Sequence, residues 1–139
     1  MAIEIIIKID ETDNGAKHAG LDDGRMYVSD YARFFNEGCA PWTNDPELNK
    51  MFLRQQEKYA TELLKKRGYL FLNEVYDMLG LPRSKAGQIV GWLYDENNPV
   101  GDNYVDFNLY SEQNEDFINQ YEKSVLLDFN VDGVILDKI

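Results

Sequence analysis

From residue 46 to residue 67 the apolar positions recur at helical spacing, while elsewhere they alternate or gather in short runs. Asp45-Pro46-Glu47 opens the helical stretch. It supplies a capping carboxylate, a proline at the first helical position and a negative charge at the positive end of the dipole. Lys65, Lys66 and Arg67 close it, and Gly68 follows. A helix over residues 46–67 is predicted, with Leu48, Met51, Phe52, Tyr59 and Leu63 facing inward and Lys50, Arg54, Lys58 and Lys65 roughly opposite.

Shorter patterns flank it. Ile3 to Ile9 is rich in β-branched residues interrupted by Glu4 and Lys8, which reads as a strand. Asp10 to Gly24 is a polar loop, and Arg25 to Val28 a second short strand. Ser29 or Asp30 caps a predicted short helix through Phe35, stopped at Gly38. Tyr69 to Leu72 is a short buried run. Asn73 caps a helix through Leu79 with Gly80 as its stop, Leu81-Pro82 turns the chain, and Arg83 to Gly91 forms a second short helix. Tyr104 to Tyr110 alternates as a strand, and Glu112 to Tyr121 is a short polar helix or a loop. Val125 to Phe129 and Val134 to Leu136 are two strands joined by a hairpin at Asn130-Val131-Asp132-Gly133.

These elements predict an α+β fold. A small, mainly antiparallel sheet from residues 2–9, 104–110, 124–129 and 134–137 packs against the long helix and a short helix-turn-helix-like corner at 73–91. At 139 residues the chain forms a single α+β domain, with residues 1–26 as an N-terminal strand and loop. It is 44% apolar and 13% aromatic, enough for a proper core. One cysteine, Cys39, excludes an internal disulfide and a thiolate-rich metal site. There is no apolar run of membrane-spanning length and no secretory leader pattern, so a cytoplasmic protein without membrane attachment is expected.

Charge sharpens this picture. The net charge is −11, which disfavours a general nucleic-acid coat. It is unevenly spread: residues 1–49 carry −6, residues 50–94 carry +4, and residues 95–139 carry −9. Within the basic middle, residues 71–92 have the pattern of a helix-turn-helix. Arg83, Ser84, Lys85 and Gln88 would line the start of its second helix and reach phosphates and base edges. Tyr76 sits where two tightly crossing helices want a small residue, and the following turns are acidic, so direct nucleic-acid binding ranks as the alternative. The basic row on the long helix reads first as a solvated face. It also suits this protein's own acidic segments, within the chain or in a homo-oligomer.

The acidic C-terminal third carries the leading functional reading. A dense negative face imitates nucleic-acid phosphate and occupies basic grooves. Asp95, Glu96, Asp102, Asp106, Glu112, Glu115 and Asp116 are the candidate partner-binding residues. Asp128-x-Asn130-x-Asp132-Gly133 copies the first half of a calcium loop, but the position that would close it with a carboxylate is Ile139. No metal and no cofactor are expected. The single histidine, His18, lies in a polar loop, and no triad or phosphate-binding glycine loop is present, so a non-enzymatic role is expected.

Tyr69 to Leu81, Gly91-Trp92-Leu93-Tyr94, Val105-Asp106-Phe107 and Leu126 to Gly133 together resemble the C-terminal domain of an uncharacterised family of phage and prophage proteins from Gram-positive bacteria. The resemblance takes in Tyr27-Val28-Ser29-Asp30 and makes residues 27–139 the family-like region. It implies a mobile-element origin and an accessory role, and it carries no catalytic residues. The expectation is therefore a small acidic accessory protein that binds and modulates or inhibits a host macromolecule, plausibly a nucleic-acid-handling defence protein. The alternatives are a helix-turn-helix DNA-binding regulator and a virion or assembly component.

Overall fold

The computed structural model describes residues 28–139. The expected strand at 3–9, the loop at 10–24 with His18, and most of the expected strand at 25–28 lie outside those residues.

The elements run β1 (Arg33–Phe35), α1 (Pro46–Arg67), β2 (Tyr69–Phe71), α2 (Leu72–Leu79), a single 3-10 turn (Ala86–Gln88) and β3 (Val90–Leu93). A second 3-10 turn (Glu112–Asn114), α3 (Glu115–Ile118), β4 (Val125–Leu127), β5 (Gly133–Val134) and a last 3-10 turn (Leu136–Lys138) complete them. The fold is α+β, with two small antiparallel sheets among the described residues. In one, β1 pairs with β4, Phe34 opposite Leu126. In the other, β3 is central, with Leu70 of β2 opposite Trp92 and Gly133 of β5 opposite Gly91.

The long helix forms as its sequence dictates. The Asp45 carboxylate accepts from the N–H groups of Glu47 and Leu48, Pro46 sits at the first helical position, and Gly68 ends the helix at φ +90°. Its inner face is rotated from the expected one. Asn49, Leu53, Ala60 and Leu64 are buried, whereas Leu48, Met51 and Tyr59 are more than half exposed. The buried row follows the 4-7-4 spacing of one helix stripe, and three of the larger apolar residues lie beside it. This helix packs on β2, α2 and α3. One continuous core joins both sheets to it through Phe35, Leu53, Leu64, Leu70, Tyr76, Trp92, Phe107, Leu127 and Phe129.

Three expectations are corrected. Residues 29–35 are not a helix: Ser29 Oγ accepts from Tyr31 N–H and donates to Asp128 Oδ1 at 2.6 Å, which makes a turn. The aromatic pair Phe34-Phe35 then enters a strand, where bulky side chains fit a half-buried pleat. Residues 83–91 do not form a second helix either. Ser84 Oγ accepts from Gly87 N–H, Ser84 is held by Asn73, and the chain is already in β3 by Val90. The third correction concerns the hairpin: β4 and β5 belong to different sheets, so residues 128–132 form a crossing strap.

The expected strand at 104–110 keeps its alternation but not its ladder. Val105, Phe107 and Leu109 are buried while Tyr104, Asn108 and Tyr110 are exposed. Its N–H groups go to side chains instead: Val105 to Thr61 Oγ1, Asp106 to Asn130 Oδ1 and Phe107 to Glu57 Oε2.

Candidate interaction surface

Asparagine amides position the irregular segments that carry the candidate residues. A primary amide offers a donor and an acceptor side by side, which matches the C=O and N–H of one backbone residue. Asn49 grips Thr43 in this way, Asn73 grips Ser84, Asn103 grips Asp95, and Asn114 grips Leu126. Asn130 uses all four of its bonding positions. Its oxygen accepts from Trp92 Nε1 and Asp106 N–H, and its nitrogen donates to Asp102 Oδ2 and Tyr104 C=O.

The seven candidate acids fall into two groups along this framework. Asp95, Glu96, Asp102 and Asp106 stand around the Asn103 and Asn130 clamps. Asp95 Oδ1 accepts from Asn97 and Asn98 N–H, and Asp106 Oδ1 accepts from Asn108 N–H. Glu112, Glu115 and Asp116 occupy the 3-10 turn and the first turn of α3. Asn108 stands between the groups, because its C=O accepts from Asn114 Nδ2. All seven are exposed except Asp106, which is half-buried. Among the described residues none of them pairs with a lysine or arginine; the ion pairs there are Lys50–Glu47, Arg67–Glu74 and Arg83–Asp77.

Glu57, Asp128 and Asp132, outside the candidate set, are partly buried. Glu57 has its carboxyl pushed up by burial and by the neighbouring Asp106, against the pull of the Phe107 N–H and Arg54. Burial also pushes up Asp132, whose Oδ2 accepts from Leu93 N–H, and nearby Asp102 adds to the effect. Asp128 is pushed up by burial, opposed by its bonds from Ser29. The three oxygen-bearing side chains of the calcium-like pattern therefore turn to different partners: Asp128 to Ser29, Asn130 to Trp92 and Asp106, and Asp132 to Leu93. No group of three histidine, cysteine, aspartate or glutamate side chains converges as a metal site among the described residues.

The alternative nucleic-acid residues are separated in role. Arg83 makes a double hydrogen bond to the Asp77 carboxylate, Ser84 is spent inside the corner, and Lys85 and Gln88 are exposed beside a one-turn 3-10 segment. The basic row on α1 lines a shallow groove of about 590 Å³, where Arg54, Lys58 and Lys65 alternate with Glu57 and Glu62. Arg54 also donates to Tyr110 Oη at 3.0 Å, and Lys50 pairs with Glu47.

A second concavity, of about 360 Å³, lies between the end of β1, α3 and β4. Phe34, Phe117 and Leu126 provide its apolar part, and Asp116 and Glu122 provide two carboxylates. Glu122 is absent from the candidates read from the sequence. Its signal was present: from Asp95 to Glu122 the chain has eight carboxylates and no lysine or arginine. Phe34 and Ser124 carried no such signal, because only the β1–β4 pairing brings them to α3.

No helix among the described residues is long and apolar enough to cross a membrane. No curated protein and no solved structure matches the chain. A family of unknown function (DUF6353) matches residues 4–139, a wider span than the resemblance read from residues 27–139. The match takes in nearly the whole sequence, and the chain belongs to that family.

Proposed function

We propose that this protein is a small accessory binding protein of a phage or related mobile element, which engages a basic host protein and blocks its nucleic-acid site. The observation that carries this reading is the stretch from Asp95 to Glu122. Seven of its eight carboxylates are exposed, and no cationic side chain interrupts it. Tyr104, Tyr110 and Tyr121 are exposed in the same stretch. Carboxylates steer a positively charged partner and fix its register, while tyrosines supply contact area at low conformational cost. The asparagine clamps hold the segment in shape before binding, which lowers the ordering cost of association. The mobile-element origin rests on the resemblance in residues 27–139.

The test is capture from a lysate of the bacterial host, compared with a variant in which Asp95, Asp102 and Asp116 become Asn and Glu96, Glu112 and Glu115 become Gln. The wild type is expected to retain a nucleic-acid-binding protein, to compete with DNA or RNA for it, and to lose it steadily as salt rises. The variant is expected to bind about tenfold more weakly or worse, with a shallower salt dependence. Equal capture by both proteins would sink the reading.

A further inference from the structure

We infer that the concavity between β1, α3 and β4 is a receptor for one arginine side chain of the partner protein. The inference rests on the acidic-face reading and gives it an anchor point. At about 360 Å³ the concavity has room for one long side chain.

Its chemistry is split in the way an arginine is split. Phe34, partly exposed beside the buried Phe117 and Leu126, offers apolar surface for the three-carbon stem. Asp116 and Glu122 offer acceptors for the guanidinium head. Glu122 is held in place: its Oε1 accepts from Lys123 N–H at 2.7 Å and from Ser124 N–H at 3.3 Å, while Oε2 makes no hydrogen bond to the described residues. The Asp116 carboxylate likewise makes none, although its C=O accepts from Tyr121 and Glu122 N–H and fixes the turn that carries it. Asn114, deeper in the concavity, is consumed by its grip on Leu126 and adds nothing.

A planar guanidinium with five N–H donors can satisfy carboxylates on two sides at once and lie on the partly exposed Phe34 ring, whereas an ammonium is a compact, strongly hydrated point charge. Lys123 is the cation nearest in sequence, and it is exposed. The pocket adds shape to a field that would otherwise select only for positive charge.

The experiment uses the full chain, labelled with nitrogen-15, and two short glycine–serine peptides. One carries a single arginine and the other carries citrulline, its neutral isostere, at the same position. The arginine peptide is expected to shift the amide signals of Phe34, Gln113, Glu122 and Ser124, and to bind about tenfold more tightly than the citrulline peptide. Asp116→Asn, at an exposed position that bears no internal bond, is expected to weaken the arginine peptide severalfold and leave the citrulline peptide unchanged. Equal binding of the two peptides, or shifts spread evenly over residues 95–122, would overturn the pocket. The broader acidic-face reading fails separately. It stands if the partner is still lost when Asp95, Glu96, Asp102, Glu112 and Glu115 alone are neutralised, and it falls if the partner is retained.

Discussion

Asn114 holds Leu126 by both halves of its peptide unit: Nδ2 donates to the Leu126 C=O at 2.8 Å, and Oδ1 accepts from the Leu126 N–H at 2.9 Å. Both residues are buried, so neither bond has a ready substitute in water. The pair joins the 3-10 turn before α3 to the middle of β4, and so connects the acidic segment to the core. Asn114→Leu strands two buried backbone groups at once. It is expected to cost about 3 kcal/mol, from two lost bonds whose partners stay desolvated. Asn114→Asp keeps the acceptor and loses the donor, and it places a charge in the core; a similar or larger loss is expected. Urea unfolding monitored by tryptophan fluorescence checks both, and a loss under 1 kcal/mol would remove the clamp from the account.

Acidity should stabilise this protein before it unfolds it. Glu57, Asp128 and Asp132 have folded carboxyls above their ordinary values, chiefly because of burial. The native state therefore binds protons that the unfolded chain does not, and stability rises as pH falls through their folded values towards the ordinary carboxylate range. Relief of the −11 net charge acts in the same direction. Glu74 behaves oppositely. Burial pulls its carboxyl up, but the Arg67 guanidinium and the Phe71 N–H hold it below the ordinary value. Its stabilisation is complete above the unfolded value and disappears as pH falls through the folded one. The melting temperature is expected to climb as pH falls from neutral towards the ordinary carboxylate range, and then to fall at lower pH. Asp132→Asn is expected to flatten the climb and Glu74→Gln the fall, as read by thermal unfolding across that range.

Gly91 and Gly68 should respond differently to the same substitution. A Cβ on Gly91 would overlap the Leu70 carbonyl oxygen and come within 2.8 Å of Phe71 Cα, both backbone atoms of the neighbouring strand. Gly91→Ala must therefore spread β2 from β3, at a cost of about 3 kcal/mol. A Cβ on Gly68 meets nothing within 4 Å, but the backbone there is left-handed at φ +90°. Gly68→Ala is expected to cost about 1 kcal/mol through backbone strain alone. Paired denaturant curves read the contrast, and equal costs would contradict the close packing of the central sheet.

Much of the fold was legible where local chemistry decides it. Asp45, Pro46 and Gly68 mark the ends of α1, and Gly80 marks the end of α2, because caps and stops act within a few residues. The alternation of Val105, Phe107 and Leu109 was legible for the same reason. What escaped depends on distant partners. Ser29 has the right side chain to start a helix, but Asp128 claims it from 99 residues away. Arg83 to Gly91 has helical pattern enough, but Asn73 fixes Ser84 and the pairing of Trp92 with Leu70 draws the rest into a sheet. The candidate acids were visible as a charge run. Their division around Asn108 rests on the Asn114 bond, and the hollow that Phe34 completes appears only once β1 lies against β4.

The way residues 105–107 are held bears on self-association. Three successive amides are each addressed by a different side chain, from Thr61, Asn130 and Glu57, rather than by a neighbouring strand. An ordinary sheet edge is generic and accepts any extended chain that reaches it, which is how misfolded copies add to one another. Here the amides are met by side chains of α1 and of the 128–132 strap, so a foreign strand finds no repeating row of amide donors to copy. The segment that displays the negative face is thus shielded from self-templating at its amides as well as by its own charge.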